Sequence, residues 1–385
     1  MSEAEAISDG RPRPQAWVLK LVQAAVLGGA QSMVVRLLRN RLWVAPMCQY
    51  SAASAGAATG VPTDWHLAHW AALSRGGAGL VVVEATGVTP EGRISPKCLG
   101  LWNDTQEAAF ARCLPIAKAH GARFGIQLGH AGRKGSTYPA LPGQPSGLVP
   151  EEAGGWLPVA PSAIPFAEGF GTPHELSTEE VREVAAAFRM AADRAVRAGF
   201  DFIEIHGAHG YLLHEFLSPR SNRRTDEFGG SPENRARLIR EIVRGIRADH
   251  PELPIIVRIS GEEWVPGGFD VEPAAQLVGW LAEDGADLID ASSGGNSADQ
   301  RIPIGPSYQV RIAERLRAEG LPVGAVGLIT TAEQAEGILA SGQADVISIA
   351  RPALTNPHLP LEWAHTLRAP NAAELVPPQY ARARF

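Results

Sequence analysis

Cysteine is scarce in this chain: Cys48, Cys98 and Cys113 are the only three in 385 residues. Odd in number and without a CxxC pair, they argue against a disulfide framework and against a structural zinc knuckle. They point instead to a reducing compartment, so a cytoplasmic protein is expected. A basic excess is also missing. Lys and Arg total 35 against 41 Asp and Glu, a formal net charge of −6, which leaves no footprint for a nucleic-acid backbone or an anionic membrane. No long apolar run is uninterrupted either. The stretch over 15–38 is broken by Lys20 and Gln23, too short for a membrane span, and it follows an acidic start where a signal peptide would carry a basic one. Residues 1–35 are therefore expected to form an atypical N-terminal extension, its apolar run packed as an amphipathic helix on a main domain over 36–385. The dinucleotide fingerprint is absent as well: GGAG at 76–79 precedes a strand, whereas GxGxxG must follow one.

What is present is apolar material for a large core, 45% hydrophobic against 20% charged residues. Eight β-branched-rich runs read as strands, over 41–47, 79–88, 123–132, 200–210, 254–260, 286–295, 322–329 and 344–352. Segments of helical period separate them. Several open on a capping residue (Asp64, Asp104, Ser177, Ser231) and close on a glycine (Gly121, Gly199, Gly285, Gly320, Gly342), and Ser177 with Glu180 fits a capping box. Buried strands alternating with helices require a parallel sheet, and eight such units fit one α/β domain, a (β/α)8 TIM barrel. A doubly wound open sheet is the structural alternative. A long Pro- and Gly-rich loop over 135–157 follows the third strand, and its size suits a lid or rim.

In a barrel the chemistry gathers where strands end. Polar residues stand there: Cys48, Gln49 and Tyr50 after the first strand, Glu84 on the second, Gln127 and His130 on the third, His206 and His209 on the fourth, Arg258 on the fifth, Arg351 on the eighth. Any one of these alone is most simply a satisfied or solvated strand residue. The string His206-Gly207-Ala208-His209-Gly210-Tyr211 discriminates best. Two imidazoles three residues apart can aim two N–H donors at one developing oxyanion, or two nitrogens at a metal. The metal version needs a third ligand, with His214 and Glu215 close in sequence, so a metal-dependent barrel hydrolase using His206 and His209 is the alternative reading. Tyr211 favours the first, because a phenol is an uncommon metal ligand and a plausible general acid.

The motifs RNRLWVAPMCQYS, GRKG after IQLGHA, WLPVAPSAIPF, GFDFIEIHGAHGYLLHEFLSPRSNRRTDEFGGSPENR, DLIDASSGG, GAVGLI and PQYARAR cover about residues 36–385. With them the chain resembles the Old Yellow Enzyme family of FMN-dependent ene-reductases, in its thermophilic-like class with the xenobiotic reductases. The resemblance implies FMN as cofactor, NADPH or NADH as reductant, no metal, and an activated alkene (enone, enal, maleimide or nitroalkene) as substrate. It implies that Pro46, Met47 and Cys48 run beside the flavin, with Cys48 tuning its potential, and that Ala85 and Gln127 contact the isoalloxazine. Arg258 would face N1 and O2, where positive charge stabilises the reduced anion. The phosphate would sit at Gly327, Ala350 and Arg351. His206 and His209 would hold the carbonyl oxygen, Tyr211 would protonate, and Tyr50 and Lys134 would line the substrate. In this class the arginine after the QY pair reaches a neighbouring subunit's site; the matching residue is Arg382, which implies a homodimer or homotetramer. Two departures stand out. The usual N-terminal hairpin gives way to the apolar run, and Ala350 stands where glycine is commoner, placing one methyl close to the phosphate.

Overall fold

The computed structural model describes residues 38–382; the extension expected over 1–35 lies outside them. Eight parallel strands close into a barrel: β1 (Leu42–Val44), β2 (Leu80–Gly87), β3 (Arg123–Gly129), β4 (Phe202–Gly207), β5 (Ile255–Ser260), β6 (Leu288–Ser292), β7 (Val323–Ala325) and β8 (Val346–Ile349). Each pairs with its sequence neighbours, and β1 pairs with β8 (Trp43 opposite Ser348), so no edge is left open. The barrel expected from the alternation is present, and the open sheet is not. Helices surround it: α1 (Asp64–Arg75), α2 (Asp104–Lys118), α3 (Thr178–Ala198), α4 (Pro232–Asp249), α5 (Val271–Asp284), α6 (Val310–Arg317), α7 (Ala332–Ala340) and α8 (Leu359–Thr366). Among the described residues no helix is long and apolar enough to cross a membrane.

Local chemistry explains the helix ends. Ser177 accepts from the Glu180 amide while the Glu180 carboxylate accepts from the Ser177 amide, and Ser231 caps α4 through Asn234. Asp64 and Asp104 are not the caps. Each is the first helical residue, and the capping group is the residue before it, Thr63 or Asn103. The first-turn acid stays favourable there because it faces the positive end of the helix dipole. Gly199 and Gly285 close α3 and α5 at φ +95° and +100°, a conformation that costs other residues strain.

Strand alternation divides the core in two. Outward residues such as Ile203, Ile205, Val257, Ile259, Ile289 and Ala291 pack under the helices. Trp43, Leu80, Val82, Phe202, Ile256, Leu288 and Val346 form a separate buried cluster that plugs the N-terminal half of the barrel. Two residues further along the same inward faces stand Glu84, Glu204, Arg258, Asp290 and Ser348, all buried. The interior thus turns from apolar to polar within one pleat, toward the end where the loops carry the site.

The loop after β3 is built. Thr137 bridges Leu148, the Trp156 indole donates to Glu91 O at 2.9 Å, and the Arg93 guanidinium lies 4.7 Å from the Trp156 ring.

Candidate active site

β4 ends in a turn that sets the central residues. His206 is the last inward side chain of the strand and is buried; His209 follows at φ +60°, a left-handed geometry. Several bonds hold that turn. The His209 amide donates to Ser260 Oγ at 2.9 Å, and the Lys134 ammonium donates to His209 O and Gly295 O, each at 2.9 Å. Gly210 and Gly295 meet so closely that a Cβ on Gly210 would lie 2.2 Å from Gly295 O, so only glycine fits. The His206 ring stands 5.1 Å from the His209 ring and 5.0 Å from the Tyr211 ring, edge to face in both pairs.

Burial, with the nearby Arg258 charge, holds both imidazoles well below their ordinary pKa. Each is therefore neutral at physiological pH and carries one N–H. Nδ1 of His206 faces the Ala208 amide at 3.4 Å, which favours the proton on Nε2. Nε2 of His209 meets Ser292 Oγ at 2.7 Å, so an incoming oxygen shares or displaces that hydroxyl. Burial, then the thiol of Cys48, pushes the Tyr211 phenol well above its ordinary range, which keeps its proton in place. Burial lowers Lys134 to about 8, and its ammonium lies 5.0 Å from the Tyr211 ring centre.

Under this layer lies a buried ionic group. The Gln127 amide donates to Glu204 Oε1 at 2.6 Å, and an Arg258 guanidinium nitrogen stands 3.4 Å from Asp290 Oδ2. Burial raises Glu204 to about 8, with the Asp290 charge adding to it, and burial raises Asp290 too. One guanidinium cannot neutralise both carboxylates, so a proton stays on the pair.

A cavity of about 430 Å³ opens between the ends of β7 and β8, lined among others by Arg258, Ser292, Gly327, Ala350 and Arg351. Gly327 has φ +112°, and a Cβ there would lie 2.6 Å from Gln309 Nε2. Ala85, His206 and Tyr211 line a smaller separate recess, while Pro46, Met47, Cys48 and Tyr50 sit half-buried on the loop after β1. A flavin mononucleotide suits this donor set: Arg258 and Arg351 both line the cavity, and the buried Nε of Arg258 has no partner among the described residues. Arg382 stands apart from the group. It is exposed beyond Tyr380, whose ring lies 5.9 Å from the guanidinium of Arg75 at the far end of α1, away from the strand C-termini.

The third ligand of a metal reading is engaged elsewhere. His214 Nδ1 accepts from the Gly210 amide at 2.9 Å and its Nε2 faces Glu263 at 3.1 Å, while Glu215 accepts from the Arg133 amide at 2.9 Å. Among the described residues no group of three or more His, Cys, Asp or Glu is placed to hold a metal. Glu204, Asp290, Ser260 and Ser292 are the residues that the sequence reading does not single out. Period-two counting from His206 and Arg258 along their strands finds Glu204 and Ser260; Asp290 and Ser292 need the β5–β6 register.

The family model described as "NADH:flavin oxidoreductase / NADH oxidase family" matches residues 33–369. The chain is 45% identical over 347 residues to an NADPH dehydrogenase of Listeria innocua, covering 90% of this chain and 95% of that one. To an NADPH dehydrogenase of Geobacillus thermodenitrificans it is 44% identical over 346 residues, covering 90% and 94%. Among solved structures, morphinone reductase superposes with a TM-score of 0.69 at 30% identity, over 86% of this chain and 87% of that one. An old yellow enzyme homologue from Zymomonas mobilis gives 0.71 at 28% identity, over 86% and 89%.

Proposed function

The chain belongs to the NADH:flavin oxidoreductase family, the Old Yellow Enzyme family, and is an FMN-dependent NAD(P)H oxidoreductase; on that premise we propose that it reduces the C=C bond of activated alkenes, with Tyr211 supplying the proton. The observation that carries this reading is the neutral pair of a buried His206 and a partly buried His209, with the protonated Tyr211 phenol 5.0 Å from His206, ring centre to ring centre, beside the cavity lined by Arg258 and Arg351. FMN, when bound, supplies hydride taken from NAD(P)H. The chain's own residues do the rest. His206 and His209 donate N–H groups to the substrate carbonyl or nitro oxygen, which gains negative charge as hydride arrives at the β-carbon. Tyr211 holds a proton on Oη for the α-carbon. Lys134 holds the His209 turn, Tyr50 closes the mouth, and the loop over 135–157 excludes water through Trp156.

For the cofactor we assign Pro46, Met47, Cys48, Ala85, Gln127 and Arg258 to the ring and Gly327, Ala350 and Arg351 to the phosphate. The ionic layer under Arg258 keeps that cation oriented. Because reductant and alkene use one face, steady-state kinetics should be ping-pong. Parallel lines in double-reciprocal plots with NADPH and a cyclic enone support the reading; intersecting lines, or a colourless active enzyme inhibited by chelator, overturn it.

We place the enzyme in the cytoplasm as a homodimer or homotetramer with Arg382 donated to the partner's site. The direction of the tail supports this, since Tyr380 anchors it on the barrel end opposite its own catalytic face. Removing residues 378–385 should raise KM and weaken association without loss of flavin. A truncated enzyme with the parent's KM and mass in solution rules out the shared site.

A further inference from the structure

We propose, on the reading of His209 as a donor to the substrate oxygen, that His214 is a positioning residue for the reaction: with Lys134 it clamps the His209–Gly210 peptide from both sides and so aims the His209 imidazole. That peptide lies in a strained piece of chain. His209 and Gly210 both have left-handed backbone, at φ +60° and +69°, and a residue other than glycine keeps such a conformation only where its surroundings fix it. The two polar atoms of the peptide are fixed separately. Its carbonyl, His209 O, accepts from the Lys134 ammonium at 2.9 Å, and its N–H, on Gly210, donates to His214 Nδ1 at 2.9 Å. Rotating the peptide plane breaks both bonds at once. The plane in turn fixes the direction of the His209 Cα–Cβ bond, and with it the place of the ring.

The two clamps are joined behind the turn. Lys134 is the chain neighbour of Arg133, whose guanidinium donates to Asn296 O at 2.7 Å and to Asn296 Oδ1 at 3.1 Å. The Asn296 amide donates to Glu263 Oε1 at 2.9 Å, and that same oxygen stands 3.1 Å from His214 Nε2. The circuit therefore closes on the peptide it began from, through the loops after β3, β6, β5 and β4. Arg133, Asn296, Glu263 and His214 are all buried, and a buried polar chain loses stability wherever a member loses its partner. Glu263 also selects the tautomer. Burial works to raise its carboxyl, but His214 holds it below its ordinary range, so it is ionised at neutral pH. An anion beside Nε2 keeps the His214 proton there and leaves Nδ1 free to accept from Gly210. None of His214, Glu263 and Asn296 lines the cavity or the recess, so any effect they have on a ligand passes through the turn.

The test is a double-mutant cycle on the flavin-loaded enzyme, with binding of phenol, whose oxygen stands in for the substrate oxyanion, read from the flavin spectrum rather than from turnover. His209→Ala removes the donor, while His214→Gln keeps a polar amide toward Glu263 but no acceptor for Gly210. Each alone should weaken phenol binding, His214→Gln by about tenfold, the low end of what an outer hydrogen-bond partner is worth. Together they should cost no more than His209→Ala alone, because His214 acts through that ring. His214→Asn, whose amide oxygen falls at the Nδ1 position, should bind phenol as the parent does. Glu263→Gln, which frees the tautomer, should show a smaller loss that likewise vanishes beside His209→Ala, and it serves as the disruptive member of the cycle if His214→Gln does not retain flavin. Additive losses, equal losses in His214→Asn and His214→Gln, or unchanged affinity in His214→Gln beside a loss in His209→Ala overturn the clamp and leave the oxyanion reading intact. Unchanged affinity in His209→Ala overturns that reading and the clamp with it.

Discussion

The two halves of the barrel interior are made by the same strands and do opposite work. In the N-terminal half, Trp43, Phe202, Ile256 and Leu288 fill space and carry no charge. One pleat further along the same strands, Glu204, His206, Arg258 and Asp290 sit equally buried and each needs a partner. Burying an apolar side chain is favourable by about 1.5–3 kcal/mol, whereas a buried ionisable group costs stability unless paired or neutralised. The lower half therefore supplies stability, and the upper half spends part of it to hold two imidazoles neutral, a phenol protonated and a guanidinium aimed at the cavity. The difference teaches that position along a strand, more than residue type, separates structural from chemical roles here.

The sharpest way to break this comparison is to empty the lower half. Phe202→Ala should lose about 3–5 kcal/mol of stability, the usual cost of a buried aromatic cavity, while the folded fraction keeps its activity. Denaturant unfolding and assays on folded protein check both parts; a stable but inactive variant would show that the division is false.

In the upper half the effects should invert. His206→Ala should weaken binding of a phenol, which mimics the substrate oxyanion, by about 2–4 kcal/mol, the worth of one oxyanion donor. A spectroscopic titration of the flavin with phenol reads this, and unchanged affinity removes His206 from the oxygen site.

A smaller, pH-dependent effect sharpens the contrast. Glu204 is raised from an ordinary 4.5 to about 8. Between those values the folded chain holds a proton that the unfolded chain has released, so stability falls as pH rises through that window. Glu204→Gln keeps the contact with Gln127 and removes the titration. It should be more stable than the parent at pH 8, and the gap should close as pH falls below 4.5, where folded and unfolded chains both hold the proton. Thermal unfolding across that range checks it, and a constant gap contradicts it.

Much of this was legible in the sequence, and for physical reasons. Strand and helix periods, glycine stops and the Ser177 capping box are local signals, and the barrel follows from their repetition. His206, His209 and Tyr211 were legible because one turn carries all three. What was not legible depends on register between strands or on loops meeting. Asp290 reaches Arg258 only through β5–β6 pairing, and Ser292 reaches His209 across a turn. The caps at Thr63 and Asn103 were displaced by one residue because an acid inside the first turn and a cap just before it look alike in sequence.

The most direct test of the account separates the two half-reactions in Tyr211→Phe by anaerobic stopped flow. Flavin reduction by NADPH should keep the parent rate, because no proton leaves Tyr211 in that step, while reoxidation by a cyclic enone should slow by about 10²-fold or more, the usual worth of a positioned general acid. If enone reoxidation keeps the parent rate, or if both half-reactions slow together, Tyr211 is not the proton donor and the upper half of the barrel does not work as described.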